Sequence, residues 1–331
     1  MKIVKKRRIE EPPHTLSNAV KESTPTELAM IGVMLSFYLA MSVTWPITWA
    51  SHDAGLQMQA ASYGTLVMYA VCVWHSVQVK GPRQTVAFFL LAGVITYFAE
   101  YLGSNYGWLF GEYEYTETLG PRLGGVPLLV PFAWGVLIYS SFMVVDWLSG
   151  LRGERRGTTW VSKVVWSALI ALATGVAVCA WDLMGDPFGA SGVWMEVLGR
   201  QPWWWWAGGT YLPDLQVWRG SGGIPIKNFV GWVEVTFIII FIFHLFFQQR
   251  DRVTNKLINV IPFLAYGYLY YSLIFALLGM NWYDPGIHQA ALIGTVAMGP
   301  ILMLGIIKLF KDYSRPAQSL KDGGGQMATR Q

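Results

Sequence analysis

Charge and cysteine are both scarce in this chain of 331 residues. Only 13% of the residues are Asp, Glu, Lys or Arg, and the two cysteines, Cys72 and Cys179, lie inside long apolar stretches. Without a Cys-x-x-Cys pair, the sequence predicts neither a disulfide framework nor a zinc site. The five histidines are scattered, which disfavours a membrane di-iron centre because such a centre needs clustered histidine ligands.

Nucleotide-binding signatures are also missing. The chain contains no Gly-x-Gly-x-x-Gly fingerprint and no phosphate-binding P-loop, so we expect no nucleotide cofactor. No cleavable signal peptide is visible, because residues 1–26 are polar and contain Pro12, Pro13 and Pro25. We expect residues 1–26 to form a disordered cytoplasmic tail, with a second such tail at 312–331.

Apolar residues, by contrast, are abundant and make up 53% of the chain. They gather in eight stretches of about 20 residues or more, each long enough to cross a hydrocarbon layer of ~30 Å as a helix. The stretches are 27–49, 57–79, 84–104, 126–149, 159–184, 228–249, 257–280 and 288–310. This pattern predicts an all-α polytopic membrane protein with about eight transmembrane helices, which form a single transmembrane helical domain over residues 27–311.

The basic residues indicate which side of the membrane each connection faces. All but four of the 24 Lys and Arg residues lie in the two tails, in alternate connections or at the start of the fifth stretch. The exceptions are Arg122, Arg200, Arg219 and Lys227. Since cytoplasmic connections carry an excess of Lys and Arg, the alternation predicts a multi-pass protein of the inner cell membrane with both termini in the cytoplasm. The net charge of +4 then reflects flanks near lipid headgroups, and nothing supports nucleic-acid binding.

Two connections on the outer side are long and rich in Gly, Pro and aromatic residues. They span about 105–125 and 185–227. The first mixes turn-forming residues with Trp108, Tyr113 and Tyr115, a pattern that favours a short ordered hairpin or the rim of a pocket. The second contains the run Trp203 to Trp206. Indole rings prefer the headgroup level of a bilayer, so this run is either an interfacial belt or a lid over an apolar, elongated ligand.

Glu100 and Glu234 carry carboxyl groups inside apolar stretches. A carboxylate is costly at that depth, so each is expected to face the interior of the helix bundle and to mark function. Helical spacing places Glu100 on one face with Thr96 and Tyr97. The alternative for Glu100 is a position at the water interface, bonded to a neighbouring backbone group or to Arg122.

Asp182 and Asp186 lie four residues apart at the end of the fifth stretch, so both occupy one face of a helix. Pro187 disfavours helical backbone at the residue before it, which predicts that the helix ends at Asp186. Two carboxyl groups this close favour a state in which one keeps its proton and can donate it. Asn228 opens the sixth stretch, where it is either the N-cap of that helix or a polar contact for a ligand. For the two aspartates, a helix cap or an interfacial position in water stays the alternative.

Two runs of residues together resemble the membrane carotenoid hydratase family, which includes the carotenoid 1,2-hydratases and the haloarchaeal bisanhydrobacterioruberin hydratases. The first run is Glu100…Gly103…Phe110-Gly111-Glu112-Tyr113-Glu114-Tyr115…Leu119-Gly120…Gly125-Val126-Pro127…Trp134. The second run is Asp182…Asp186-Pro187…Trp194…Gly223-Ile224-Pro225…Asn228-Phe229…Gly231-Trp232. The resemblance covers about 85–235. It implies an enzyme that adds water across the terminal carbon–carbon double bond of an acyclic carotenoid end group and so forms a tertiary alcohol.

The chemistry of such a hydration suggests roles for individual side chains. Protonation of an isolated alkene needs a general acid that is neutral before the reaction, and we expect Asp182 to be that acid, with Glu100 positioning and deprotonating the attacking water. The reverse assignment stays open. Aromatic faces stabilise the resulting tertiary cation by about 0.5–2 kcal/mol each. The remaining candidates are Asp186, Asn228 and Glu234 for catalysis and Tyr97, Trp108, Tyr113, Tyr115, Trp181 and Trp232 for substrate binding. Hydration is redox-neutral, which agrees with the absence of nucleotide, haem and metal signatures, so we expect no cofactor and no metal.

Two other functions stay open at this point. Asp182 and Asp186 have the Asp-x-x-x-Asp spacing that can hold magnesium and pyrophosphate in an intramembrane prenyltransferase or cyclase, although a second Asp-rich motif is missing. A non-enzymatic carotenoid-binding or transport protein would use its polar residues only to line a cavity. For a hydratase, the expected partners are an acyclic carotenoid (lycopene-like or longer), the lipid bilayer and other enzymes of the carotenoid pathway.

Overall fold

A computed structural model describes residues 15–151, 159–252 and 257–313, and over these residues the chain is mainly helical. The helices are α1 (Leu16–Glu22), α2 (Pro25–Ser51), α3 (Gly55–Val79), α4 (Pro82–Tyr106), α5 (Leu129–Ser149), α6 (Trp160–Ala190), α7 (Val193–Glu196), α8 (Ile226–Ile242), α9 (Ile261–Met280) and α10 (Pro285–Tyr313). Helix α8 continues as a π-helical turn over Phe243–Phe247, and a 3-10 turn at Leu257–Val260 precedes α9.

Seven of these helices are long and apolar enough to cross a membrane, namely α2, α4, α5, α6, α8 with its π-helical turn, α9 and α10. The prediction of an all-α polytopic membrane protein is therefore confirmed. The predicted stretch 57–79 forms α3, which has 25 residues but is less apolar than the other seven. Its polar side chains include Gln57, Ser62 and Thr65, and all three line the cavity described below.

Helix α1 lies within the segment for which the sequence predicts a disordered tail. Thr15 precedes this helix, and its side chain accepts a hydrogen bond from the backbone N–H of Asn18, which is the capping geometry that opens a helix. The prediction of disorder is therefore wrong for Leu16–Glu22, because a polar composition does not reveal local capping. The other parts of the predicted tails, residues 1–14 and 314–331, lie outside the described residues.

Helix α6 does not end at Asp186 as predicted, but continues through Pro187 to Ala190. Pro187 has no backbone N–H, so the carbonyl of Leu183, four residues earlier, loses its helical partner. The Tyr211 hydroxyl replaces that partner and donates a hydrogen bond of 2.8 Å to the Leu183 oxygen. Asp186 therefore stays inside a continuous helix, although a proline follows it.

Glycine residues allow two other helices to approach α6 closely. Gly175 of α6 faces α8, where an added Cβ would lie 3.0 Å from the carbonyl oxygen of Val233. Gly294 of α10 faces Met184, and an added Cβ would lie 1.9 Å from the Cγ atom of that side chain. A larger residue at either position would have to push the helices apart. Helix α6 is thus held between α8 and α10, and its two aspartates, Asp182 and Asp186, are buried.

The two long outer connections pair with each other. Their strands are β1 (Tyr113–Tyr115), β2 (Arg122–Leu123), β3 (Val126–Pro127) and β4 (Trp204–Trp206). Strand β1 runs antiparallel to β4, with Tyr113 opposite Trp206 and Tyr115 opposite Trp204. Strands β2 and β3 form a short hairpin inside the first connection, which confirms the ordered hairpin predicted there. Three residues of the Trp run therefore form a strand that is fixed against the first connection.

Candidate active site

A cavity of about 190 Å³ lies among the helices and the paired outer connections. Its walls come from helices α2 to α6, α8 and α9, together with β1 and β4. Most of the lining side chains are apolar or aromatic, and two buried carboxyl groups stand among them. Seven of the predicted site residues line this cavity, namely Glu100, Tyr113, Tyr115, Trp181, Asp186, Asn228 and Trp232.

Glu100 is 4% exposed and accepts three side-chain hydrogen bonds. Trp134 Nε1 donates to Oε1 at 2.7 Å, and the Tyr115 hydroxyl donates to Oε2 at 2.7 Å. The Tyr113 hydroxyl also donates to Oε2. Three donors around one carboxyl group suit an ionised carboxylate, which can only accept hydrogen bonds. Oε1 accepts only one of these bonds, so it retains a lone pair for a further donor such as water.

The two tyrosines reach Glu100 because they are two residues apart on a strand. Successive side chains of a strand point to opposite faces, so Tyr113 and Tyr115 share the face that meets the cavity while Glu114 is exposed. The partner strand follows the same rule, and Trp204 and Trp206 line the cavity. The pairing of β1 with β4 thus places four aromatic side chains on one side of the site.

Asp182 and Asp186 share one hydrogen-bond donor. Asn228 Nδ2 donates to Asp182 Oδ2 at 3.0 Å and also to Asp186 Oδ2, so the two carboxyl oxygens lie on either side of one nitrogen. Asp186 is 2% exposed and lines the cavity, whereas Asp182 is 0% exposed and is not part of the lining. The aspartates therefore form a buried pair in which Asp186 faces the space for a ligand and Asp182 lies behind it.

Asn228 is not the N-cap of its helix. The N-cap of α8 is Pro225, and Asn228 is the third helical residue, with a side chain that turns across to α6. Gly231 keeps this part of α8 close to the first connection, since an added Cβ there would lie 2.7 Å from the carbonyl oxygen of Leu109. The interpretation of Asn228 as a polar contact within a site agrees with this position, and the capping interpretation is wrong.

Three indole rings pack against one another in the wall of the cavity. Trp134 and Trp232 are stacked, with ring centroids 3.7 Å apart and an interplanar angle of 15°. Trp181 is tilted against Trp232, with a centroid distance of 6.1 Å. All three rings line the cavity. Their electron-rich faces can stabilise a positive charge that develops in a ligand, and they stabilise it more when water is excluded.

Tyr115 links the two acidic groups electrostatically. Burial raises the pKa of the Tyr115 hydroxyl well above its usual range, and the charge of Glu100 raises that pKa further, with a smaller contribution from Asp186. Burial and the charge of Glu100 raise the pKa of Tyr113 in the same way. Both phenols therefore stay protonated at physiological pH and keep donating hydrogen bonds to Glu100.

The sequence is similar to known proteins of carotenoid biosynthesis. A sequence profile of a family described as "Carotenoid biosynthesis protein" matches residues 59–301. The chain belongs to the carotenoid biosynthesis protein family. A bisanhydrobacterioruberin hydratase from Haloarcula japonica is 26% identical over 237 residues, which cover 70% of this chain and 69% of that protein. These findings confirm the resemblance to carotenoid hydratases. No solved structure matches the chain.

Other predicted site residues of this carotenoid biosynthesis protein lie elsewhere. Glu234 is exposed on α8 and does not line the cavity, and Trp108 is 61% exposed. Tyr97 is half-buried, and its hydroxyl donates to the carbonyl of Leu123 at 3.3 Å. Arg122 lies 3.3 Å from Glu117, so the predicted alternative of an ion pair with Glu100 is not formed.

Several residues of the site have no role in the sequence-based prediction. Trp134 belongs to the family resemblance without a predicted role, although its indole nitrogen donates to Glu100. Trp204 and Trp206 were considered as part of an interfacial belt or a lid, and Phe110 had no assignment, yet all three line the cavity. The signal that could have found them is the alternation of aromatic residues in both outer connections, which is typical of strands with one buried face.

Proposed function

We propose that this protein is a carotenoid hydratase that adds water across the terminal carbon–carbon double bond of an acyclic carotenoid end group and forms a tertiary alcohol. One observation carries the proposal: Glu100 and Asp186, with different hydrogen-bond partners, line the same apolar and aromatic cavity. Membership of the carotenoid biosynthesis family and the name of the Haloarcula relative support the same conclusion.

The size of the cavity suits an end group rather than a whole carotenoid. A dry protein cavity of ~150 Å³ binds benzene, so the cavity of about 190 Å³ has room for a branched end of a few carbons. The long polyene would then extend away from the acidic groups between the apolar side chains of α2, α3 and α9. Met68, Leu269 and Leu273 line the cavity on that side.

Asp186 is the proton donor in this proposal. It faces the cavity, and the shared amide of Asn228 holds it next to Asp182, so the two buried carboxyl groups favour a state in which one proton is retained. Donation of that proton to the less substituted alkene carbon breaks the π bond and leaves a tertiary cation on the other carbon. This assignment refines the sequence-based choice of Asp182, which becomes the partner that holds Asp186 in place.

Glu100 is the base in this proposal. The indoles stabilise the cation that exists between protonation of the alkene and the attack of water. Water attacks the tertiary carbon while one of its protons passes to Glu100, whose three donors favour the carboxylate form before the step. The faces of Trp134, Trp181 and Trp232 stabilise the cation electrostatically. Return of the proton from Glu100 to the aspartate pair closes the cycle. The net reaction adds one water, and it consumes no oxidant, reductant or cofactor.

The proposal also specifies the membrane in which the protein lies and its orientation there. With α3 as an eighth crossing beside the seven more apolar helices, the protein spans the inner cell membrane with both termini in the cytoplasm, so the site lies near the opposite leaflet. The distribution of Lys and Arg supports this orientation. A fluorescent protein fused to the C-terminus is expected to fold and fluoresce, while a phosphatase fused there should stay inactive. The opposite pair of results would reverse the orientation without affecting the reaction.

Expression in a host that makes lycopene or a longer acyclic carotenoid tests the reaction. The expected product is heavier than the substrate by one water molecule per modified end, and its new oxygen comes from isotopically labelled water. A label that arrives from molecular oxygen would make the protein an oxygenase. Magnesium-dependent turnover of a diphosphate would favour a prenyltransferase, and an unchanged bound carotenoid would favour a binding protein.

A further inference from the structure

One wall of the cavity carries a polar side chain that the proposed mechanism leaves unused. Gln57, near the start of α3, is 3% exposed and lines the cavity. Its Nε2 donates to the Sδ atom of Met41 at 3.3 Å. Its Oε1 is buried and has no hydrogen-bond donor among the residues that the structure describes. Since most buried polar atoms have a partner, this oxygen is a candidate contact for a ligand.

The sulfur of Met41 decides which end of the amide turns toward it. A thioether sulfur accepts hydrogen bonds weakly and cannot donate them. The amide nitrogen of Gln57 therefore faces Met41, and the opposite orientation would place two acceptors against each other. As a result, Oε1 is the amide atom left for another donor.

Trp45 supplies a second buried polar atom without a partner in the wall of the same cavity. It follows Met41 by four residues on α2, so the two side chains are neighbours on one face of that helix. Trp45 is 1% exposed and lines the same cavity, and its Nε1 has no acceptor among the described residues. Gln57 contacts Met41, and Trp45 lies one turn from Met41 on α2, so an acceptor from α3 and a donor from α2 line the same cavity.

We propose that Gln57 and Trp45 form a second polar site in the cavity, which binds a hydroxyl group of the carotenoid. An O–H group both donates and accepts, so it can satisfy Oε1 and Nε1 together. A hydrocarbon satisfies neither atom, and a ketone oxygen has no proton for Oε1. The identity of the ligand as a carotenoid alcohol rests on the proposed function. Two hydroxyl groups have this chemistry: the tertiary alcohol that hydration forms and a hydroxyl that the substrate already carries elsewhere.

Equilibrium binding to the purified full-length protein in lipid nanodiscs tests the site without any need for turnover. Three acyclic carotenoids serve as ligands: a hydrocarbon, its tertiary alcohol and a carotenoid with a hydroxyl at another position. Wild-type protein should bind at least one alcohol roughly two- to tenfold more tightly than the hydrocarbon, which is the range of one net hydrogen bond. The alcohol that is preferred identifies which of the two hydroxyl groups the site binds.

Two substitutions at one position separate binding from a structural role. Gln57→Met and Gln57→Glu both remove the N–H that contacts Met41, but only Gln57→Glu keeps an oxygen acceptor. The preference for the alcohol should disappear in Gln57→Met and persist in Gln57→Glu. Trp45→Phe, which keeps an aromatic ring without the N–H, should reduce the same preference. The matched control is Gln59→Met, because Gln59 is exposed on the same helix.

Two results would overturn this site. Equal affinity of wild-type protein for alcohols and hydrocarbon would show that the two polar atoms bind no ligand hydroxyl. Equal loss in Gln57→Met and Gln57→Glu would show that the amide only ties α3 to α2. Neither result decides whether the protein hydrates carotenoids. Conversely, a protein that prefers the alcohol but forms no hydrated product would refute the proposed function and leave the second site intact.

Discussion

Glu100 and the aspartate pair line one cavity but have opposite hydrogen-bond environments. Glu100 accepts bonds from three donors, one indole and two phenols, on α5 and β1. Asp182 and Asp186 share a single amide donor from α8. Donors stabilise a negative charge on the group that accepts from them, so the first environment suits a carboxylate and the second suits a carboxyl group that keeps a proton. This difference supports the proposed division of roles, with Glu100 as the base and Asp186 as the acid.

The elements of secondary structure that hold Glu100 also differ from those that hold the aspartates. The donors of Glu100 come from a strand pair and a neighbouring helix, so its environment depends on how the outer connections fold. The aspartates lie one turn apart on α6, which continues through Pro187 to Ala190, so neither of them lies at a helix end. Each side of the site can therefore be disturbed separately, which makes the division of roles testable.

The largest effect is expected when either reacting carboxyl group loses its acid–base function. Asp186→Asn and Glu100→Gln should each lower turnover by about 10²–10⁴-fold, which is the usual contribution of general acid–base catalysis. Product formation by membranes with equal protein content measures the effect. Glu114→Gln is the control, because Glu114 is an exposed carboxylate between the two cavity-facing tyrosines. Full activity of both variants would show that the site is wrong even if the family is right.

The second-largest loss of turnover is expected when Glu100 loses one of its hydrogen-bond donors. Tyr115→Phe removes one hydrogen bond to Oε2 without changing the ring, and a bond to a charged group contributes about 1.5–3 kcal/mol. We expect turnover to fall by roughly 10- to 150-fold, with little change in affinity for the carotenoid. Tyr63→Phe is the control, since Tyr63 is 69% exposed on α3. If activity rises instead, Glu100 acts as the acid and the two roles are reversed.

A smaller effect is expected from the donor that the aspartates share. Asn228→Leu has a similar shape but donates to neither carboxyl group, so Asp186 loses a neutral hydrogen bond that contributes about 1 kcal/mol. We expect a loss of about fivefold in turnover, measured with the same product assay. A loss as large as that of Asp186→Asn would mean that Asn228 touches the reacting atoms, whereas full activity would mean that the pair needs no common donor.

Much of this site could be predicted because its polar side chains lie in helices that are otherwise apolar. Carboxyl and amide groups in apolar helices are conspicuous in a sequence, so Glu100, Asp182, Asp186 and Asn228 were all found. The same rule also selected Glu234, and there it failed to find a cavity residue. On an α-helix, two positions correspond to about 200° of rotation, so Glu234 points away from the cavity that Trp232 lines. Depth in an apolar stretch does not say which face a residue occupies.

The hydrogen-bond and packing partners of those groups could not be predicted, because they come from segments that are distant in the sequence and meet only in the folded protein. Trp134 donates to a carboxylate 34 positions earlier in the chain, and β1 pairs with a strand in the other outer connection. Gln57 resembles any polar residue near a helix start until Met41 and Trp45 are placed beside it. Composition and spacing identify the reactive groups, while tertiary packing determines what each of them can do.

The smallest effect is expected from the hydrogen bond that replaces a missing backbone donor in α6, the helix that carries both aspartates. Tyr211→Phe removes the hydrogen bond to Leu183 that replaces the N–H missing at Pro187, and it should lower the free energy of unfolding by about 1 kcal/mol. Turnover should change by less than about twofold, because no reacting group is touched. In a Pro187→Ala background the helix regains its own N–H donor, so the same substitution should cost less stability there. Thermal unfolding of the four proteins in one detergent measures this coupling. If Tyr211→Phe costs the same in both backgrounds, the phenol does not compensate for the proline, and the continuity of α6 around the aspartates must depend on packing against α8 and α10 alone.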